Sequence, residues 1–232
     1  MPLSYPLISS VDTPIYINMK KFFTFIAAFI TMIIVSCSSI PREQPPAAPV
    51  PETVPEIPDL PELPDYIMGQ GLVPAEQLAA FLMLSNALVD QDFISALSRY
   101  YVEEAAIEGV NHDIAFAQMC LETGFLHFGN LVSPDMYNFA GLGSTGLPGP
   151  DGLPERGLSF PEPRIGVRAH IQHLKAYGST EPLNQDLVNP RFRLITRGIA
   201  PSIQELTGRW AVDPLYDEKI AAILERLYVF AF

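Results

Sequence analysis

Cysteine is almost missing from this chain: 232 residues hold two, Cys37 and Cys120. Two thiols do not make the disulfide framework that staples small exported domains, so a folded part must be held by a hydrophobic core. Basic residues are scarce as well. Lys+Arg number 14 against 26 Asp+Glu, a formal net charge of −12. From Cys37 onward the balance is 12 against 25, or −13. Phosphate contacts need a basic surface, so nucleic acid is excluded as a partner. The apolar run from Phe22 to Val35 has 14 residues, short of the ~20 a membrane-spanning helix needs. There are no internal repeats. The glycine-rich stretch GLGSTGLPGPDG at 141–152 follows no strand pattern and lacks the lysine of a phosphate-binding loop. Among four histidines, His170 and His173 stand three apart on a helix, but no Asp, Glu or Cys supports them as metal ligands. No metal and no other cofactor is expected.

What is present begins with residues 19–39, MKKFFTFIAAFITMIIVSCSS. Two lysines, an apolar core and then small residues make the layout of a secretory signal. Its end, Ile34-Val35-Ser36-Cys37, resembles the lipobox of bacterial lipoproteins, whose cysteine is acylated and becomes the new N-terminus. The 18 residues before Met19 carry no basic region and read as an upstream extension. With Cys37 lipidated, Cys120 is the one thiol left; it lies in an apolar run and reads as a small buried hydrophobe. Residues 41–64 contain nine prolines with scattered acids, a composition that forms no core and makes a semi-rigid spacer. At ~3.1 Å per residue, residues 37–64 would reach on the order of 80–90 Å from a membrane. The stretch SSIPREQ after Cys37 has no acidic run, which points to the outer membrane with the domain facing the periplasm. The chain therefore divides into an extension and signal (1–36), a lipidated cysteine with linker (37–65) and a globular part (66–232).

The globular part is long enough for one real core. The spacing predicts a helix after Pro74 burying Leu78, Phe81, Leu82, Leu84 and Leu88, and a second over about 92–108 that stops at Gly109. A third follows Asn111 as N-cap. Glycine and proline dominate 141–163, which reads as loop with a short hairpin near Arg156 to Phe160. Helices return at about 165–177, 202–206 and 214–228. The class is mostly α (α+β), with a short hairpin or loop insertion.

The third helix carries AQMCLETGF, residues 117–125. At 100° per residue, Ile114, Leu121 and Phe125 cluster, Phe116 and Met119 lie behind, and Gln118 and Glu122 share a flank. A helix apolar almost all round is a buried helix. A carboxylate there is costly unless it is paired or opens onto a cleft. Burial also raises its pKa, the way a glutamate becomes a proton donor near neutral pH. Two readings stand at this point: Glu122 is such a donor, or it pairs with a downstream arginine.

AQMCLETGF, then YNFAGLG at 137–143, FPEPRIGVRAHIQHLK at 160–175, NPRF at 189–192 and WAVDPLYDEKI at 210–220 occur in that order. The set resembles the glucosaminidase family of peptidoglycan hydrolases, which has a lysozyme-like domain, over about Phe93 to Tyr228. The resemblance implies cleavage of the β-1,4 bond after N-acetylglucosamine in cell-wall glycan strands, with Glu122 as general acid. Glycoside hydrolysis commonly needs a second group. Related enzymes carry it on a later hairpin, where Asp151, Glu155 and Glu162 fall here and Glu155 best fits a strand leaving a turn. The substrate's own N-acetyl group could serve instead. By the same resemblance Tyr216 stands near the sugar site and Tyr137 and Asn138 face the cleft; with Gln118, which helix geometry sets beside Glu122, they are the expected substrate-binding residues. Trp210 replaces the more usual tyrosine and reads as core. The implied partners are peptidoglycan strands and a membrane reached through the lipid anchor, and a monomer is expected. A lytic transglycosylase and a non-catalytic glycan-binding lipoprotein are the alternative readings.

Overall fold

Helix α1, Ala75–Ser85, opens directly after Pro74, whose fixed φ suits a helix start. It buries Leu78, Phe81 and Leu82. Leu84 and Leu88, expected on the same face, are exposed. Six residues of helix turn Leu84 about 120° away from Leu78, and the helix stops at Ser85, so Leu88 has left its register. Helix α2, Gln91–Glu108, is capped by Asp90, whose side chain accepts from Phe93 N, and ends at Gly109 in the left-handed region. Helix α3, His112–Thr123, starts at Asn111, whose side-chain oxygen accepts from the backbone N–H groups of Asp113 and Ile114. Helices α4 (Pro163–Gly178), α5 (Ile203–Leu206) and α6 (Tyr216–Ala231) follow. The computed structural model describes residues 60–129, 131–144, 147–148 and 152–232. The signal, Cys37, nearly all of the proline-rich tract and Asp151 lie outside the described residues.

α3 is the centre of the molecule. It packs on α2, α4 and α6, and every residue from His112 to Cys120 is buried. Cys120 is fully enclosed, and burial pushes its thiol well above the usual range, as suits an inert packing group. The start of α3 is tied down by Asp113, which accepts from Leu72 N at 2.7 Å, Val73 N at 3.2 Å and Tyr228 Oη at 2.9 Å. α2 and α4 are locked by ion pairs. Glu104 accepts from Arg164 Nε at 2.6 Å and Arg168 Nε at 2.8 Å, while Glu108 takes Lys175 Nζ at 2.9 Å and the backbone N–H of Asn184.

Among the described residues pairing outside helices is confined to isolated bridges. The expected hairpin at 156–160 is displaced. The pairing is Pro148 with Pro154, where Glu155 N donates to Leu147 O. Residues 157–160 run extended instead, with Gly157 N on Leu131 O, Leu158 N on Leu142 O and Phe160 N on Met136 O. That pairing closes the wall beside the C-terminal end of α3.

Candidate active site

Glu122 sits in the last turn of α3, just before a tightly wound segment. Thr123 Oγ1 donates to Met119 O and accepts from Leu126 N at 2.9 Å. Gly124, Phe125, Leu126 and Phe128 all have positive φ, of 56, 56, 63 and 52°. Left-handed backbone costs a non-glycine residue on the order of 1 kcal/mol, and such runs persist only where surrounding structure imposes them. This one ends the helix at Thr123, one residue past Glu122, and brings Phe128 and Gly129 into the wall of a cavity of about 270 Å³, shared with Glu122, Leu131, Val132, Asn138, Gly141 and Ser144.

The arginines do not reach Glu122; Arg164 and Arg168 are taken by Glu104. The pairing alternative is set aside on that geometry. Glu122 instead has two neutral donors on one oxygen. Tyr216 Oη and Trp210 Nε1, the latter at 3.0 Å, both donate to Oε1. The other oxygen, Oε2, faces Gly141, where an added Cβ would lie 3.3 Å from it. Burial raises the pKa of Glu122, and the Tyr216 and Trp210 hydrogen bonds pull it back only in part. With Oε1 occupied by donors, a proton on this group belongs on Oε2, toward the cavity.

Behind Glu122 runs a buried chain whose hydrogen directions are forced. A carboxylate only accepts, so Tyr216 donates to it and must itself accept, which it does from Gln118 Nε2 at 2.8 Å. Gln118 Oε1 then accepts from His170 Nε2 at 2.8 Å, and His170 Nδ1 accepts from Tyr101 Oη at 2.9 Å. His170 is fully buried and its pKa is held down to about 3 by desolvation, then by the nearby His173, so it is neutral. Neither of its nitrogens is left for a metal. Every donor in the chain points toward Glu122.

The residues singled out from sequence therefore do other work than expected. Gln118 is fully buried and touches Tyr216 and His170, not solvent. Tyr216 is 4% exposed, so its ring has no face for a sugar, and its hydroxyl orients the acid. Asn138 borders the cavity, but its amide is spent: Nδ2 donates to Leu142 O and Leu158 O, and Oδ1 accepts from Leu142 N and Ala140 N. It organises the loop and has no donor left for an N-acetyl group. Tyr137 is half-buried at φ 47°, packed on the core, and is outside the cavity lining. Glu155 and Glu162 are exposed and line neither this cavity nor its neighbour. Trp210, expected as core alone, is half-buried and belongs to the site. Its ring packs edge-on against His173 at 5.0 Å and tilted against Tyr177 at 5.4 Å while its N–H holds Glu122. The signal that could have found Trp210 and His170 was chemical: an indole and an imidazole cannot be buried without polar partners.

A buried acid at the end of the central helix, oriented by neutral donors and opening on a cleft, defines a glycoside hydrolase domain of the lysozyme-like kind. The Glucosaminidase family, described as mannosyl-glycoprotein endo-beta-N-acetylglucosaminidase, matches residues 98–229, and the chain belongs to it. It is also similar to an uncharacterized protein of Borreliella burgdorferi, 42% identical over 162 residues, which are 70% of this chain and 76% of that protein. The protein is thus a glycan-binding member of a glycoside hydrolase family.

Proposed function

We propose that this protein hydrolyses the β-1,4 bond after N-acetylglucosamine in cell-wall glycan, with Glu122 as the general acid. The observation that carries the reading is the division of labour within one carboxyl group. Oε1 is held by Tyr216 and Trp210, and Oε2 looks into the cavity at Gly141. An acid with a raised pKa in that geometry keeps a transferable proton on the cleft side, where it is delivered to the leaving glycosidic oxygen.

Glu122 is the one carboxylate among the described residues lining the two cavities beside the Gly141 loop. The second catalytic role then falls to the substrate's N-acetyl group, or to Glu155 carried in by movement of its exposed segment. Glu122→Gln keeps the shape and both Oε1 acceptor bonds. It should lower release of glycan fragments from purified peptidoglycan by about 10²–10⁴-fold, the range of one general acid–base group, with binding nearly kept. Full activity in that variant would sink the reading. In the same assay Glu155→Gln separates the routes: a loss assigns the second role to Glu155, and retained rate passes it to Asp151, Glu162 or the substrate. Reducing-end analysis distinguishes hydrolysis from transglycosylation, which leaves anhydro-sugars.

The anchor belongs to the same proposal. Cys37 is lipidated and tethers the domain to the outer membrane on its periplasmic side, spaced by the proline-rich tract. Expressed in a bacterial host, the wild type should partition with membranes and gain acyl mass, and Cys37→Ala should lose both. A soluble, unmodified wild type would exclude the anchor.

A further inference from the structure

Next to the Glu122 cavity, and sharing Gly141 and Ser144 with it, lies a second cavity of about 210 Å³. Trp210 joins the two, since its N–H holds Glu122 while its ring lines the second. The charge of this lining runs against the acidic composition of the chain: it contains Arg191 and Arg209 and no Asp or Glu. Arg209 is tethered through Nη1 to Glu205 O, whereas no hydrogen bond or ion pair engages the Arg191 guanidinium among the described residues.

The backbone of Arg191, by contrast, is firmly held. Its N–H donates to Asn189 Oδ1 at 2.9 Å, and the buried Asn189 takes Gln172 Oε1 through its own N–H at 3.2 Å. Asn189 Nδ2 donates to His173 Nδ1 at 2.8 Å. His173 is neutral, its pKa held to about 4 by burial and then by the Arg191 charge. Because Nδ1 accepts, the ring hydrogen is on Nε2. Among the described residues that N–H has no hydrogen-bond partner, although the residue is only 6% exposed. It is not sealed off, because Ser98 Oγ is the one fully buried side-chain polar atom left unsatisfied among the described residues. A free guanidinium on a firmly held backbone and a buried histidine with an unengaged N–H therefore both belong to the lining of one small cavity.

We propose that this cavity is an anion subsite, in which Arg191 and His173 Nε2–H take a carboxylate carried by the glycan strand next to the bond that Glu122 cleaves. The proposal rests on the glycan-hydrolase reading for its substrate. A cell-wall strand offers that chemistry from two sources, the lactyl carboxylate of muramic residues that have lost their stem and, where the stem is amide-linked to that group, the carboxylates of the peptide itself. A neutral N-acetylglucosamine oligomer offers none.

The experiment compares wild type, Arg191→Gln and Arg191→Lys on three substrates: peptide-bearing strands, peptide-stripped strands and N-acetylglucosamine oligomers. Arg191→Gln should lower the ratio of kcat/KM on acidic strands to kcat/KM on neutral oligomers by about ten- to a hundredfold, the range of a charge-assisted hydrogen bond. Arg191→Lys should restore part of it, and added salt should shrink the wild-type ratio. Loss on stripped strands assigns the lactyl carboxylate; loss confined to peptide-bearing strands assigns the stem. An unchanged ratio, or an equal fall on all three, overturns the subsite. Should the wild type cleave none of them, the hydrolase reading fails separately. The subsite is then judged by titrating N-acetylmuramic acid against N-acetylglucosamine and following the His173 Nε2 resonance. A shift with the acid alone, absent in Arg191→Gln, upholds it, and no shift overturns it.

Discussion

At the scale of single residues, the acid strength of Glu122 is set by two opposing effects whose signs can be tested apart. Burial favours its neutral form, and the Tyr216 and Trp210 donors favour the charged one. Removing one donor leaves burial less opposed, so Tyr216→Phe should raise the pKa further. A general acid works while protonated, so the basic limb of the pH–rate profile should move to higher pH in Tyr216→Phe while kcat falls, because the carboxyl is less well oriented. A limb that stays in place or moves down would show that Tyr216 does not tune the acid. Glu122 itself costs the fold stability as pH rises. Its folded pKa lies above its unfolded one, so the folded state binds more protons, and stability falls through that window. Glu122→Gln, beyond its loss of activity, should be at least as stable as wild type at pH 7 by urea unfolding.

At the scale of elements, the site depends on close approaches that only small residues permit. Gly166 lies in the first turns of α4, where Gly→Ala ordinarily stabilises a helix by about 1 kcal/mol. Here the sign should reverse. A Cβ on Gly166 would stand 1.8 Å from Tyr137 O, a backbone atom with φ 47° on its own residue and little freedom to yield. Gly166→Ala should therefore push α4 off the 134–139 loop and lower stability by roughly 1–3 kcal/mol, the usual cost of overpacking. Activity should fall as well, because α4 carries His170, a link in the chain that orients Glu122. A more stable variant would show that the loop moves freely.

At the scale of the whole molecule, two buried neutral histidines make the domain acid-sensitive. His170 and His173 titrate near 3 and 4 in the fold and near 6.5 when unfolded. Between about pH 6.5 and 4 the unfolded state binds more protons, so stability falls as pH falls. The slope should approach about 1.4 kcal/mol per pH unit for each histidine. Glu122 acts with the opposite sign, so the measurement is cleanest in Glu122→Gln, by urea unfolding between pH 5 and 6.5. Adding His173→Gln should remove about half of the slope. A flat profile would mean that these rings accept protons in the fold.

Much of this was legible in the chain because its signals are local. Pro74, Gly109 and Asn111 bracket α1, α2 and α3 through dihedral preference and capping, effects that act within a turn. The apolar wrap of α3 marked it as the central helix and Glu122 as its anomaly. Tertiary structure alone decided what each polar residue near Glu122 does. Trp210 and Tyr216 stand 88 and 94 positions away from it along the chain, beyond any periodic rule. Gln118, Asn138 and Tyr216 looked like contacts for a sugar because amides and phenols bind sugars. In the fold each is buried, and a buried polar group must first satisfy itself. Their hydrogen bonds go to the loop, to one another and to Glu122, which leaves the cavity walled by Phe128, Leu131 and Val132, by Gly129, Gly141 and Ser144, and by a single acid, with the spent amide of Asn138 at its border.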